Sequence, residues 1–201
     1  MKSIDPQDLS ERENYKFLIG GIIPRPIAFV TTLSEKGVLN GAPFSYFSIV
    51  TANPPMISVS VQRKNGSQKD TAVNAIHKQA FVVHIADETY IKALNETAAS
   101  LPPDQSEVEA TGLTPVKSQR IEVPGIQEAK IRMECLLEKA IPLGKDEASC
   151  DLLIGRVVHY HIAEELYDNG RINPSRLQPV SRLAGSYYAR LGDMFSLERP
   201  Q

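Results

Sequence analysis

Basic and hydroxyl-bearing side chains lead into a predicted helix in the segment RKNGSQKDTAV, residues 63–73. The first turn of this helix includes Thr71, and Lys69 stands just before it. The unpaired N–H groups of a helix N-terminus match a phosphate, to which Lys69 would add a full charge and Thr71 a hydroxyl donor. Alternatively, Asp70 is the N-cap, and its carboxylate accepts from the same N–H groups. The local sequence fits a phosphate site and a capped helix equally.

Arg25 stands between Pro24 and Pro26 in the segment IPRPIAFVTT, residues 23–32. The two prolines restrict the backbone to extended conformations and leave Arg25 little freedom. A guanidinium presented from a stiff backbone could bind an anion or stack on a flat ring. It could also be an exposed arginine that leads into a strand, and the segment taken alone favours this second interpretation.

The segment NGAPFSYFSIV, residues 40–50, resembles a strand but contains a proline. Pro43 has no N–H to donate within a sheet, so we predict a bend or a sheet edge there. Two hydroxyls and three aromatic rings occupy positions that a buried strand would fill with Val, Ile and Leu: Phe44, Ser45, Tyr46, Phe47 and Ser48.

His159 and His161 are two residues apart on a predicted strand and could both face a metal ion. No third or fourth ligand is evident nearby in the sequence, and we interpret the pair as part of a polar strand face. The sequence also lacks the G-x-G-x-x-G, Walker, G-x-S-x-G, H-E-x-x-H and C-x-x-C motifs. We therefore predict neither a metal site nor a catalytic side chain.

Length and composition indicate one globular domain over residues 1–201. A net charge of −2 with scattered basic residues gives no concentrated basic face for nucleic acid. Arg25 and two prolines interrupt the most apolar window, residues 17–33, so no membrane span is predicted. No signal-peptide core is present, and Cys135 and Cys150 are expected to be reduced thiols of a cytoplasmic protein.

Periodic patterns predict more strands than helices. A capping box at Ser10 and Glu13 begins a helix that ends at Gly20 and Gly21. The predicted strands cover residues 27–33, 38–50, 55–62, 80–86, 129–141 and 152–163, and further helices cover 71–77 and 90–98. Residues 100–110 are predicted to be an exposed loop. Strands that pair with near neighbours favour an antiparallel barrel with peripheral helices over a doubly wound sheet.

The motifs occur in an order that resembles the flavin reductase-like family of FMN-binding split-barrel proteins, which includes flavoredoxin and the reductase components of monooxygenases. The matching segments are PRPIAFVTT (24–32), NGAPFSYFS (40–48), Pro54-Pro55, KDT (69–71) and SRLAGSYYAR (181–190). The likeness extends over residues 15–190. It implies a mainly β fold, an antiparallel split β-barrel with peripheral α-helices.

The resemblance also implies roles for particular residues. Lys69 and Thr71, with Asp70 of the same motif, become candidate ligands of the FMN phosphate. Ser45 and Ser48 would bind polar atoms of the flavin, and its ring would contact Phe44, Tyr46 and Phe47. Further candidate contacts are Arg25, Thr31, Thr32 and Asn40. The cleft for a nicotinamide would be lined, from the same or a second subunit, by Arg182, Tyr187 and Tyr188.

The implied function is an NADH- or NADPH-dependent flavin reductase that supplies electrons or reduced flavin to a partner. FMN is expected rather than FAD because the predicted helix start suits a single phosphate. The partners would be a second copy of the chain and a monooxygenase or electron-transfer protein. Two alternatives remain open: an FMN-bound electron carrier, like flavoredoxin, without NAD(P)H oxidation of its own, and a flavin-free interaction module.

Overall fold

The fold is built around a large antiparallel sheet; two helices precede the first strand, and the others occupy connections between strands. The computed structural model describes residues 1–145 and 148–200. The strands in these ranges are β1 (Arg25–Pro26), β2 (Ala28–Leu33), β3 (Leu39–Phe44), β4 (Phe47–Ala52), β5 (Pro55–Gln62), β6 (Ala80–Ile85), β7 (Pro115–Val116), β8 (Gly125–Ile126), β9 (Ile131–Leu143), β10 (Cys150–Ile162), β11 (Tyr167–Asp168), β12 (Arg171–Ile172), β13 (Val180–Arg182) and β14 (Tyr188–Arg190). The helices are α1 (Glu11–Gly21), α2 (Asp70–Lys78), α3 (Ile91–Glu96), α4 (Glu107–Ala110), α5 (Pro174–Leu177) and two 3₁₀ helices, Pro6–Asp8 and Glu164–Leu166.

A two-residue connection joins the opposite edges of the large sheet. Within the described ranges the strand order is β3-β2-β6-β9-β10-β5-β4. β3 ends at Phe44 on one edge, and β4 begins at Phe47 on the other. Six strand spacings of about 4.8 Å would make a flat sheet about 29 Å wide, whereas three peptide steps reach at most about 11 Å. The sheet must therefore curl until its edges approach each other.

This connection corrects one prediction and confirms another. The single return strand predicted over residues 38–50 is wrong, because the segment divides at Ser45 and Tyr46 into two strands with different partners: β3 pairs with β2, and β4 pairs with β5. The prediction that Pro43 lies at a sheet edge is confirmed, since β3 is an edge strand. An edge strand tolerates the missing N–H.

The curled sheet packs around an apolar core. Side chains with no exposed surface come from five of its strands: Val30, Val59, Val61, Phe81, Val83, Cys135 and Leu153. The alternation predicted for residues 55–62 is confirmed, because Ile57, Val59 and Val61 are buried and Ser60 is not. Packing is so close at Gly155 that a Cβ there would lie 2.4 Å from the ring of Phe81.

Helix α1 begins at the predicted capping box and is weakly packed. Ser10 Oγ accepts from Glu13 N at 3.3 Å, and the Glu13 carboxylate accepts from Ser10 N at 2.9 Å, which confirms the box. Ile19 is the one buried residue of the helix. Apolar burial therefore contributes little to holding α1 against the sheet. Within the described ranges, no helix is both long and apolar enough to cross a membrane.

The segment 100–110 differs from its prediction as an exposed loop. It contains α4, which Ser106 caps by accepting from Glu109 N at 3.3 Å. Glu107 and Val108 are buried. The Glu107 carboxylate accepts from Gly41 N on β3 at 3.2 Å, so this short helix is tied to the edge of the sheet.

Candidate functional site

Arg25 joins three segments of the chain. Its Nη1 donates to the carbonyls of Ile19 and Ile22, both at 2.7 Å, and its Nη2 donates to the carbonyl of Leu183 at 3.0 Å. Its Nε lies 3.4 Å from Ser45 Oγ. The side chain is 6% exposed, so its interpretation as an exposed lead-in arginine is wrong. The cation lies at the C-terminal end of α1, where the helix dipole favours positive charge.

These segments surround a cavity of about 330 Å³, here called the basic cavity. Its walls come from α1, the β3–β4 connection, β5, the start of α2, α3 and the β13–β14 hairpin. The residues that line it are Tyr15, Ile19, Arg25, Ile27, Pro43, Phe44, Ser45, Tyr46, Ser60, Gln62, Lys69, Leu94, Asn95, Ala98, Arg182, Leu183, Gly185 and Tyr188. The volume lies in the range of small-molecule sites.

Positive charge and aromatic surface distinguish the basic cavity. Of the described residues that line it, Arg25, Lys69 and Arg182 are cationic, and none carries a carboxylate. The chain as a whole has a net charge of −2. Burial raises the pKa of Tyr46, so its hydroxyl stays protonated near neutral pH. The cavity is therefore suited to an anion that also carries a flat aromatic group.

Lys69 is the N-cap of α2 and lines the basic cavity. The helix begins at Asp70, and no side chain in the described part of the protein caps it. The interpretation of Asp70 as the N-cap is therefore wrong. Asp70 lines a separate cavity of about 450 Å³ beside Glu35. The first-turn N–H groups of α2 thus have no side-chain acceptor and are suited to an anion.

Four predicted site residues are buried and form hydrogen bonds with other parts of the protein: Thr31, Thr32, Asn40 and Thr71. Asn40 Oδ1 accepts from Thr32 Oγ1 and Thr71 Oγ1, both at 3.1 Å. Asn40 Nδ2 donates to Glu107 Oε2 at 2.9 Å, and Thr31 donates to a backbone carbonyl at 2.7 Å. None of the four is among the described residues that line the basic cavity. Asn40, Thr32 and Thr71 connect α2 and α4 to the sheet, and Thr31 ties β2 to the carbonyl of Pro124.

Phe47 and Ser48 line a second cavity, here called the apolar groove. It measures about 870 Å³ and shares Arg25, Ser45 and Tyr46 with the basic cavity. The apolar side chains that line it are Leu18, Ile22, Ile49, Ile57, Ile85, Ile131, Met133, Tyr160, Ile162 and Ile172. The two-residue connection between β3 and β4 therefore separates a charged cavity from an apolar one.

Arg182 and Tyr188 face each other across the β13–β14 hairpin. The guanidinium carbon lies 4.5 Å from the centre of the tyrosine ring, within the range of a cation–π contact. Tyr188 Oη donates to Asn95 Oδ1 on α3 at 2.7 Å. Tyr187 is 72% exposed and lies outside the described lining of both cavities. The structure thus brings Arg182 and Tyr188 to the basic cavity and leaves Tyr187 at the surface.

Ser60 and Gln62 were missed by the sequence analysis. Both lie on β5 and line the basic cavity. The alternation of β5 was an available signal, because it places them opposite Val59 and Val61 of the core. Tyr15 and Asn95, which line the cavity from helices, had no comparable local signal.

His161, one of the two neighbouring histidines noted in the sequence, contacts the buried carboxylate of Glu134. The rings of His159 and His161 are 4.7 Å apart, and His161 Nε2 lies 2.6 Å from Glu134 Oε1. Burial opposes ionisation of Glu134. N–H groups of Gln119 and Arg120, both at 2.7 Å, and the His161 side chain outweigh it and lower the carboxyl pKa. The carboxylate therefore ties the 119–120 turn to the sheet.

Comparisons with known proteins identify relatives that cover almost the whole chain. The chain resembles a crystal structure of nitrilotriacetate monooxygenase component B from Bacillus cereus, with 62% identity, a TM-score of 0.97 and 98% of each chain covered. It also resembles 2-nitrobenzoate 2-nitroreductase NbaA from Pseudomonas fluorescens, with 33% identity, a TM-score of 0.90 and 99% and 96% of the two chains covered.

A third structure supports the likeness in fold. It is a putative flavin reductase with a split barrel domain from Shewanella frigidimarina NCIMB 400, with 19% identity, a TM-score of 0.84 and 96% of each chain covered. The family model described as the flavin reductase like domain matches residues 20–177. Because this match covers most of the chain, the protein belongs to the flavin reductase-like domain family.

Proposed function

We propose that the protein binds FMN in the basic cavity and works as an NAD(P)H-dependent flavin reductase. Membership of the family supports a flavin-dependent oxidoreductase. The observation that carries the proposal is the charge of the cavity: three cations and no carboxylate among its described lining residues, in a chain of net charge −2. The curled sheet is the split barrel that holds this site.

Lys69 and the start of α2 bind the FMN phosphate. Lys69 supplies a full positive charge, and the first turn of the helix supplies N–H donors that no described side chain occupies. Arg182 adds a second cation from the β13–β14 hairpin. A site with one helix start and few cations suits the single phosphate of FMN better than the diphosphate of FAD.

Aromatic and polar side chains of the same cavity contact the flavin ring. Phe44, Tyr46 and Tyr188 offer flat apolar surface, and Ser45 offers a hydroxyl. Phe47 and Ser48 would extend this surface into the adjoining apolar groove. The described residues of the cavity orient the ligand and exclude water.

Bound FMN would supply the redox chemistry by accepting two electrons, as hydride, from NADH or NADPH and passing them to an acceptor. The protein contributes binding, orientation and a basic environment that stabilises an anionic ligand. Arg182 and Tyr188, which line the cavity from the β13–β14 hairpin, would contact the nicotinamide.

A second copy of the chain completes the assembly. The apolar groove adjoins the basic cavity, and Ile49 at its rim is 80% exposed. An apolar surface of this kind is typical of a protein interface. The Bacillus cereus protein is described as a component of a monooxygenase. We assign the same kind of role here, delivery of electrons or reduced flavin to a partner enzyme, in the reducing cytoplasm that two free cysteines fit.

Two measurements test this function. Heating the purified protein should release FMN, identified by chromatography against riboflavin and FAD. Stopped-flow mixing with NADH or NADPH should then bleach the flavin absorbance rapidly. Reduction by dithionite alone would indicate an electron carrier, and a colourless protein whose Tm does not rise with added FMN would contradict flavin binding altogether.

A further inference from the structure

A single buried carboxylate forms hydrogen bonds with both ends of the loop that leads into Lys69. Asp151 lies on β10 and is 2% exposed. Arg63 donates to it from Nε at 2.9 Å and from Nη2 at 2.7 Å, and Gln68 Nε2 donates to it at 2.9 Å. Arg63 directly follows β5, and Gln68 directly precedes Lys69. We refer to residues 63–69 as the anchored loop.

The rest of the anchored loop has little other support. Lys64 and Ser67 exchange two backbone hydrogen bonds of 3.0 Å, and Asn65 and Gly66 between them have positive φ values of 51° and 74°. This is the geometry of a tight hairpin turn. No residue from 62 to 69, all within the described part of the chain, is buried. Apart from a backbone bond from Arg63 N to Ser149 O of 2.8 Å, side-chain bonds to Asp151 are what tie the loop to the sheet.

The negative charge of Asp151 is balanced by the guanidinium of Arg63. Its carboxylate receives a bidentate guanidinium, and hydrogen bonding from Arg63 lowers its pKa, so it is ionised at neutral pH. Arg63 is correspondingly engaged, and it is absent from the described lining of the basic cavity. Lys69 is therefore left as the cation of the loop that lines the cavity.

We propose that Asp151 is a positioning residue for phosphate binding: through Arg63 and Gln68 it fixes the anchored loop so that Lys69 faces the basic cavity. This inference rests on the proposed FMN site. It assigns a binding consequence to a residue that does not itself contact the cavity among the described residues.

The experiment compares FMN with riboflavin, which lacks the phosphate. Dissociation constants for both are measured by flavin fluorescence for the wild-type protein, Lys69→Ala, Asp151→Ala and the double variant. Lys69→Ala should weaken FMN roughly ten- to hundredfold and riboflavin less than about twofold. Asp151→Ala should weaken FMN by about threefold or more, with riboflavin again nearly unchanged. In the Lys69→Ala background, Asp151→Ala should have no further effect on FMN.

Matched variants separate positioning from general damage. Glu138→Ala breaks a half-exposed ion pair to Arg156, at 3.3 Å, on the neighbouring strands β9 and β10 and should leave both affinities unchanged. Arg63→Lys keeps the charge but loses the bidentate fork, so it should weaken FMN selectively and less than Asp151→Ala. If Asp151→Ala fails to fold, Asp151→Asn and Gln68→Ala replace it, because each removes part of the same anchor.

The results distinguish two failures. Equal weakening of FMN and riboflavin by Asp151→Ala, or an effect that persists without Lys69, would overturn the positioning role and leave the FMN site intact. Equal weakening of FMN and riboflavin by Lys69→Ala, or a wild-type protein that binds neither flavin, would overturn the proposed site, and the positioning role with it.

Discussion

Buried polar side chains and exposed polar side chains of this protein differ in their hydrogen-bond partners. Arg25 is 6% exposed and bonds three backbone carbonyls. His84 is fully buried and bonds two backbone groups. Lys69, which also lines the basic cavity, is exposed and caps α2 without a side-chain bond in the described structure.

The difference separates two roles that residue type alone does not distinguish. A buried cation or imidazole with internal partners stabilises the fold, and its removal leaves unsatisfied groups. An exposed lysine on a cavity wall contributes little to folding and remains available to a ligand. Arg25 and Lys69 were both predicted to contact the cofactor, and this comparison predicts opposite consequences for their loss.

The largest expected effect is the loss of folding stability that His84 causes at acid pH. Ile126 N donates to its Nε2 at 3.0 Å, so Nδ1 carries the proton that it donates to Phe29 O at 2.9 Å. The pKa of His84 is lowered to about 3, mainly by burial and further by the charges of Arg132 and His161. In the unfolded chain His84 binds a proton with an ordinary pKa of about 6.5, whereas in the folded protein it remains neutral down to about pH 3. The free energy of unfolding therefore falls as the pH drops from about 6.5 toward 3, by about 4–5 kcal/mol in total.

Chemical denaturation at a series of pH values from 7 to 5 measures this slope, because carboxylates titrate little in that window. A slope approaching about 1.4 kcal/mol per pH unit is expected near pH 5. His84→Gln, whose amide can also donate and accept, should flatten the curve. A wild-type curve that is already flat would place His84 outside the buried scaffold.

Arg25→Ala is expected to destabilise the protein by about 2–4 kcal/mol, because the carbonyls of Ile19, Ile22 and Leu183 lose their donor. Urea unfolding measures the change. The loss should also weaken FMN and riboflavin alike, since α1 and the C-terminal hairpin both line the basic cavity. Arg156→Ala, at a half-exposed position, is the control and should cost less than about 0.5 kcal/mol. Equal stability of the two variants would refute the structural role of Arg25.

Local patterns predicted the elements whose determinants are local. The capping box of α1 involves residues three apart, and the alternation of β5 is visible within eight residues. Pro43 indicated a sheet edge because proline lacks an N–H in any context. These features depend on short-range chemistry, and all three are confirmed.

Contacts between residues far apart in the sequence determine the features that the sequence analysis did not predict. Asn40 binds Glu107, 67 positions away, which explains why a conspicuous polar residue lies in a buried network. The division at Ser45 and Tyr46 has no glycine or proline to mark it and depends on which sheet edges are available. Lys69 is an unusual N-cap, and helix α2 begins directly after it although Asp70 is the better capping residue by type.

Lys69→Ala tests the cavity side of the comparison. FMN affinity should fall by about 1.5–3 kcal/mol, while riboflavin affinity and the free energy of unfolding stay within about 0.5 kcal/mol of wild type. Raising the salt concentration should weaken FMN but not riboflavin in the wild-type protein, and this salt dependence should shrink in the variant. Destabilisation comparable to that of Arg25→Ala would mean that Lys69 belongs to the scaffold.

The smallest effect is expected for Tyr188→Phe. It removes the 2.7 Å hydrogen bond to the exposed Asn95 but keeps the ring beside Arg182, so flavin affinity should change by less than about threefold. Tyr188→Ala, which also removes the ring, should weaken FMN and riboflavin together and by more. Fluorescence titration with both flavins measures the two variants. If the Phe variant alone lost as much affinity as the Ala variant, the hydroxyl rather than the ring surface would be the part of Tyr188 that the flavin needs.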